Sequence, residues 1–325
     1  MIVSVEEIFG ADWLKKTFLA GVDLTFDDNT AYPDEMFEMC MLSAFDMMEQ
    51  TLGIKIRPTD IPEERHDAHD WERDKFWPFY LDHRPVRSVT GIHIRYGSFK
   101  AVEIPVSWVQ LISKEHGQIH LMPSEESLGS YFFRMGIPLM TGTVLHTMSQ
   151  IPGYFRFAYS AGFHSEQDTV TVAARETAVA ITFEEEFPST EYTFQLYTVA
   201  EDGTKTPVAV RGTSRSLAGV TTTLAVAPSE DTSYTWLATG VPWNLLYTVG
   251  LTAAILPLDV AGDLIAGAGI ASTSIGTDGL HQSVNTTSSA TNSGYGARVL
   301  QFEKELKSRI PALRSKYRSL NFGVI

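Results

Sequence analysis

The feature that most constrains this chain is where its hydrophobic period changes. In residues 32–53, YPDEMFEMCMLSAFDMMEQTLG, the residues Phe37, Met41, Ala44, Met48 and Leu52 fall at steps of 4, 3, 4 and 4, one face of a helix. Pro33 suits a first turn, Asp34 and Glu35 complement the helix dipole, and Gly53 is a natural stop. Near the other end Val299, Phe302, Leu306, Ile310, Leu313 and Tyr317 step by 3, 4, 4, 3 and 4. Between these stripes, from about residue 54 to 240, apolar residues alternate instead. Helical ends around a strand-patterned middle predict an α+β chain.

The alternating stretch has two parts. IKIRP, FYLDHRPVRSVTGIHIRY, AVEIP, WVQLIS and GQIHLMP predict a small, mostly antiparallel sheet over residues 54–122, and IPGYFRFAYSAGF at 151–163 predicts one more aromatic strand. Residues 166–240 hold six candidate strands, TVTVAA, VAITFEE, EYTFQLYTV, PVAVR, VTTTLAV and SYTWLA. The inward positions predicted for the first three are Val170, Val172, Val179, Ile181, Phe183, Tyr192, Phe194 and Leu196. For the last three they are Val208, Val210, Val220, Leu224, Val226, Tyr234 and Trp236. Short strands separated by Gly, Pro and Ser turns predict an all-β sandwich, Ig-like or lectin-like, inserted into a parent domain. An insertion at an exposed loop tip adds little closure entropy. The expected domains are therefore 1–165 with 241–325, interrupted by 166–240.

From Pro242 two helices are expected, about 242–256 and 257–268, with Pro257 starting the second or kinking between them. A polar strip follows, TSIGTDGLHQSVNTTSSATNSGYG. Structureless loops longer than about 12–15 residues are usually functional or disordered, so this strip, 273–296, is expected to be ordered by a neighbouring subunit. In the last helix Glu303–Lys307 and Glu305–Arg309 are spaced as i,i+4 pairs, and Pro311 is expected to bend it.

The run GDLIAGAGIAS, then DGLHQSVNTTSSATNSGYGARV, then a charged helix and a short apolar end, resembles the head–tail connector or adaptor (neck) proteins of tailed bacteriophages. RPVRSVTGIHIRYG, YFRFAYSAGF and the helix ending in TLGIKI are similar to the same family, so the resemblance spans roughly 10–165 and 241–325. ITFEEEFPSTEYTF and YTWLATG look similar to small sandwich modules of phage tail and fibre proteins. The resemblance implies a helical connector core with a protruding antiparallel β-region, to which the inserted sandwich is an addition. It implies a virion structural protein without enzymatic activity or cofactor, located in the neck and assembled in the bacterial host cytoplasm. The implied partners are the portal protein, further neck or tail proteins, and other copies of the chain in a ring, a dodecamer. Genomic DNA would pass through the ring without sequence-specific binding, and an acidic lumen would let it slide. The implied assembly surface is Lys304, Lys307, Arg309, Arg314, Lys316, Arg318, Asn321, Phe322, Val324 and Ile325. The last residues, NFGVI, are short enough to add a strand to a partner's sheet.

Charge fits this without requiring it. The chain carries a net charge of −14, which argues against general nucleic-acid binding. Residues 23–74 hold fifteen acidic and four basic residues, whereas residues 298–318 hold seven basic and two acidic. Two readings follow: two solvated faces, or head-to-tail pairing of unlike ends. The basic helix is likewise either a docking surface for an acidic neighbour or a nucleic-acid contact, the latter short of interleaved stacking aromatics. The methionines of 32–53 are core packing or an adaptable interface.

Other chemistry is thin. ERHDAHDWERD at 64–74 groups His66, His69, Asp67, Asp70 and Asp74 without zinc-type spacing, and reads as a polar loop or edge strand. GAGIAS at 267–272 follows a predicted helix and lacks a third glycine, so it reads as close packing. Cys40, the only cysteine, excludes an intrachain disulfide and reads as buried. The start, MIVSVEEIFGADWL, lacks a basic, apolar export signal, and Pro257, Asp259 and Asp263 interrupt the most apolar run, so neither export nor a membrane span is expected. The alternative function is a tail-associated carbohydrate or receptor binder, in which Tyr192, Tyr234 or Trp236 would stack on sugars. An enzyme is disfavoured because no nucleophile, base and orienting group occur as a set.

Overall fold

The computed structural model describes residues 2–26, 30–69, 77–95, 102–122, 150–200, 205–266, 272–277, 280–285 and 295–317. The chain is α+β and divides into two compact units. One comprises Met1–Val3 and Gly53–Val241, the other Ser4–Leu52 and Pro242–Ile325. This differs from the division expected from the sequence: residues 54–165 group with 166–240, not with the helices. Alternation shows that a face is buried, but not which element covers it.

Among the described residues, the regular elements of the first unit are strands and one 3₁₀ turn at Val106–Trp108. Its strands are β1 (Ile2–Val3), β2 (Thr59–His69), β3 (Phe79–Tyr80), β4 (Val86–Ile94), β5 (Val102–Ile104), β6 (Val109–Ser113), β7 (Gln118–Leu121) and β8 (Gln150–Ala161). They continue with β9 (Ser165–Val172), β10 (Ala178–Thr182), β11 (Thr193–Val199), β12 (Lys205–Pro207), β13 (Val210–Ser216), β14 (Gly219–Leu224) and β15 (Thr232–Thr239). The sheets β2-β8-β4-β5 and β3-β7-β6 share one core. In it Phe79 meets both Phe155 and Phe157 of β8 at 4.9 Å between ring centres. The sheets β1-β9-β15-β11-β12 and β10-β14-β13 share a second core.

Between the two cores the links are polar. Arg87 of β4 pairs with Glu185, and Lys114 Nζ lies 3.5 Å from Glu186. The two ends of the 166–240 segment lie side by side, because Ser165 pairs with Thr239 and the Gly240 N–H donates to His164 O at 2.9 Å. The sequence did not reveal β1, whose Ile2 and Val3 pair with Glu166 and Ser165.

The inward positions of the second core are mostly as expected: Val172, Val179, Ile181, Phe183, Tyr192, Leu196, Val220, Leu224, Tyr234 and Trp236 are buried, and Val170, Phe194 and Val208 partly so. Val210 and Val226 are the exceptions, 38% and 80% exposed. Val226 lies beyond the end of β14, and β13 is an edge strand exposed along its whole length. A register shift between Arg211 and Thr213 bends β13, with Gly212 at φ +69° supplying the left-handed residue such a bulge favours.

The second unit holds α1 (Val5–Ile8), α2 (Ala11–Thr17), α3 (Asp34–Leu52), α4 (Trp243–Ala266) and α5 (Gly296–Tyr317). The expected stripe of α3 is its buried face, Phe37, Met41, Ala44, Met48 and Leu52, and Gly53 leaves the helix at φ +67°. Cys40 is buried, and burial raises its thiol pKa. Residues 243–266 form one helix with Pro257 inside it, not two helices. α4 is apolar nearly all round because it packs against both α3 and α5. Its stretch Trp243–Gly262 is long and apolar enough to cross a membrane, and 67% of it is buried in the fold. At Gly250 a Cβ would lie 2.2 Å from the Phe18 ring, so the close approach of the segment after α2 to α4 requires glycine. The apolar stripe of α5 is buried at Val299, Phe302, Leu306, Leu313 and Tyr317, and the helix runs through Pro311.

The polar strip expected to lack structure of its own contains a hairpin, β16 (Ser272–Thr277) and β17 (Leu280–Asn285), whose strands pair only with each other among the described residues. Its signal was in the sequence: Asp278-Gly279, a dipeptide that favours tight hairpins, stands between STSIGT and LHQSVN. The rest of the strip, 286–294, and most of GAGIAS lie outside the described residues.

Candidate functional site

The basic helix α5 is held at several points. Arg298 donates to Phe18 O at 2.5 Å and to Ala20 O at 3.2 Å. Arg309 Nε lies 3.6 Å from Glu305 Oε2, and its guanidinium sits 4.5 Å from the centre of the Tyr247 ring. The Tyr247 hydroxyl also donates to Glu305 at 3.4 Å, and its pKa is raised by burial and by that carboxylate. Arg314 Nε donates to Thr51 O at 3.1 Å, satisfying a carbonyl in the last turn of α3 where a cation is favoured.

The expected assembly residues therefore separate into three sets. Arg309 and Arg314 fasten α5 to its own bundle. Lys304 and Lys307 are exposed and pair with no described residue, the expected Glu303–Lys307 contact included. Lys316 is half-buried beside a cleft of about 150 Å³ lined also by Asn244, Thr248 and Leu313. Arg318, Asn321, Phe322, Val324 and Ile325 lie outside the described residues.

On the acidic side, the outward face of α3 carries Glu35, Glu38, Met39, Leu42 and Met47. Met39 and Met47 are 69% and 52% exposed, so the methionines of this helix serve two faces: Met41 and Met48 pack the core and the other two do not. Beside this face lies a groove of about 350 Å³ with Phe9, Leu42 and Phe45 in its wall and Glu6, Glu7 and Glu38 at its rim. The core stripe pointed away from this surface; the sequence signal for it was the apolar Met39, Leu42 and Met47 at positions off that stripe.

Two charged clusters of the β-unit are buried. Glu64 is buried; its Oε1 lies 2.6 Å from His66 Nε2 and accepts the Asp82 N–H at 2.9 Å, and its Oε2 accepts the Tyr159 hydroxyl. Burial pushes the Glu64 carboxyl up, but these hydrogen bonds outweigh it and hold the pKa below the usual value. Burial and Glu64 together push the Tyr159 hydroxyl far up.

A second cluster joins His164 and Glu166, both fully buried, with Nε2 and Oε1 3.5 Å apart. Glu166 also accepts the N–H groups of Glu184 and Glu185 at 2.9 Å each. Burial raises its pKa, and the His164 contact and these two backbone donors lower it further than burial raises it. Phe187 is stacked between His164 and Tyr192, at 4.3 and 4.8 Å.

The side chains of 64–74, read as a polar loop or edge strand, lie as far as His69 in the edge strand β2. His66 serves Glu64, and Asp67 accepts from the Gly153 N–H at 2.7 Å and from Gln150. His69 ends β2, an edge strand, and Asp70 and Asp74 lie outside the described residues. Among the described residues no three side chains converge as metal ligands. The aromatics considered for sugar stacking are buried, Tyr192 at 1%, Tyr234 at 7% and Trp236 at 5% exposure. No protein-family model and no curated protein sequence matches this chain.

Proposed function

We propose that this chain is a virion structural protein of a tailed bacteriophage, a head-to-tail adaptor that forms a ring under the portal. It extends the DNA channel and gives further neck or tail proteins a platform, without enzymatic chemistry. The helical unit is the connector core, the sheets around Phe155 are its β-region, and the sheets around Trp236 are an inserted sandwich. The C-terminal helix and the residues after it form the arm that meets the portal.

The observation that carries this reading is the distribution of charge on the helical unit. Lys304 and Lys307 on α5, and Glu35 and Glu38 on α3, are exposed and pair with no described residue, while Arg309 packs on Tyr247 and Arg314 donates to Thr51 O, tying α5 to its neighbours. A fixed helix presenting unpaired cations is suited to intermolecular contact. The sequence resemblance, strongest in 262–325, supplies the identity of the partners, the portal and neighbouring copies of the chain.

The test is electron microscopy of the full chain mixed with the portal of its phage, beside a chain ending at Tyr317. Truncation there spares the buried stripe of α5, which a cut before Val299 would remove. A ring stacked coaxially on the portal, lost on truncation, is the expected result. Full-length protein that ignores the portal would falsify the reading.

A further inference from the structure

Two exposed helix faces in this unit have matching spacing and opposite charge. On α5, Leu300 is followed by Lys304 four residues on and Lys307 three further. On α3, Leu42 is preceded by Glu38 four residues back and Glu35 three before that. All six side chains are exposed, with Leu300 at 44% and Leu42 at 41%. At about 1.5 Å of rise per residue, each charge sits about 6 and about 10.5 Å from its leucine. Residues three and four apart share one helix face, so each triplet forms a single stripe. Laid antiparallel, the stripes bring Leu300 over Leu42, Lys304 over Glu38 and Lys307 over Glu35.

We infer that α5 of one copy docks antiparallel on α3 of a second copy in this register. Leu300 seats beside the groove walled by Phe9, Leu42 and Phe45, and the lysines meet the acidic rim. Met39, four residues after Glu35 and three before Leu42, widens the apolar surface and adapts to the incoming helix. The fold excludes satisfying these faces within one chain, because the α3–α5 packing inside a protomer uses the buried stripes. The two faces differ, so the contact is heterologous: each copy gives α5 to one neighbour and offers α3 to the other, which closes into a ring or runs on as a filament. The inference rests on the proposed ring, for which it names the surfaces where one copy meets the next.

The test uses full-length chains in sedimentation velocity at low ionic strength, with circular dichroism to show that each variant is folded. Lys304→Glu/Lys307→Glu makes both faces acidic, and Glu35→Lys/Glu38→Lys makes both basic. Either pair alone is expected to weaken self-association by about 100-fold, since apposed like charges cost several kcal/mol. Mixing the two reversed chains restores association, because every face again meets its opposite. Leu300→Asp weakens association with the charges intact. Wild-type chain that stays monomeric at every concentration, reversed chains that associate unchanged, or a mixture that fails to recover would each overturn the inference. Association through these faces by a chain that ignores the portal sinks the adaptor reading alone, whereas a monomer that still coats the portal sinks the pairing alone.

Discussion

Two regions of this protein treat charge in opposite ways: the buried clusters of the β-unit and the outward faces of α3 and α5. In the first, Glu64 and Glu166 are buried carboxylates, each surrounded by hydrogen-bond donors from its own unit. The helical unit leaves Glu35, Glu38, Lys304 and Lys307 in solvent without a described partner. A buried charge whose hydrogen bonds are all made specifies one arrangement and asks nothing of a neighbour. An exposed, unpaired charge on a rigid helix contributes little to the fold and is available to steer a partner. Glu64 and Glu166 thus serve the integrity of their own unit, as does the buried Glu49 of α3, whereas the outward charges of α3 and α5 are available for contact.

The sharpest way to break this contrast is to remove a buried carboxylate. Glu166→Ala leaves the Glu184 and Glu185 N–H groups without the carboxylate that accepts them and removes the carboxylate beside the fully buried His164. It is expected to cost about 2–6 kcal/mol, read as lost amide exchange protection in β9, β10 and β15. Protection in α3 to α5 should be unchanged.

Acid probes the same contrast without mutation. The Glu64 and Glu166 pKa values lie below those of ordinary carboxyls. The unfolded chain therefore binds protons first, and the stability these groups contribute is full above about pH 4.3. It is lost as pH falls below that value through the folded pKa. Exchange protection is expected to fail in β2, β8 and β9 before α3 to α5; simultaneous failure would contradict it.

In the helical unit, Gly250→Ala pushes a methyl into the Phe18 ring and is expected to cost about 1–3 kcal/mol, seen as reduced protection in α4. Arg314→Ala removes the donor to Thr51 O and should cost about 1 kcal/mol, frays the end of α3 and leaves the β-unit alone. Lys304→Ala/Lys307→Ala should shift stability by no more than about 0.5 kcal/mol while weakening association. A large loss of stability there would mean that these lysines belong to the fold after all.

What the sequence disclosed follows from what periodicity measures. The stripes of α3 and α5 were legible because each helix buries one continuous face, and so were Tyr234 and Trp236 because β15 alternates cleanly. Val210 was misplaced because alternation does not reveal that β13 is an edge, and β1 was missed because two residues are too few to show a period. Phe187 is fully buried but lies between strands, where no pattern marks it. The basic residues of α5 were visible as a group, but their division into Arg309 and Arg314, which hold the bundle, and Lys304 and Lys307, which face solvent, depends on Tyr247 and Thr51, distant in sequence.

The central claim is that the charges left exposed on the helical unit are contacts between copies. It is tested most directly by mixing a Glu38→Cys chain with a Lys304→Cys chain under mild oxidation and resolving the products on a non-reducing gel. Cys40 is buried and should stay out of the reaction. The account predicts a disulfide-linked dimer that needs both chains, and a second one from Glu35→Cys with Lys307→Cys. Chains that remain unlinked, or that link equally well without their counterpart, would contradict it.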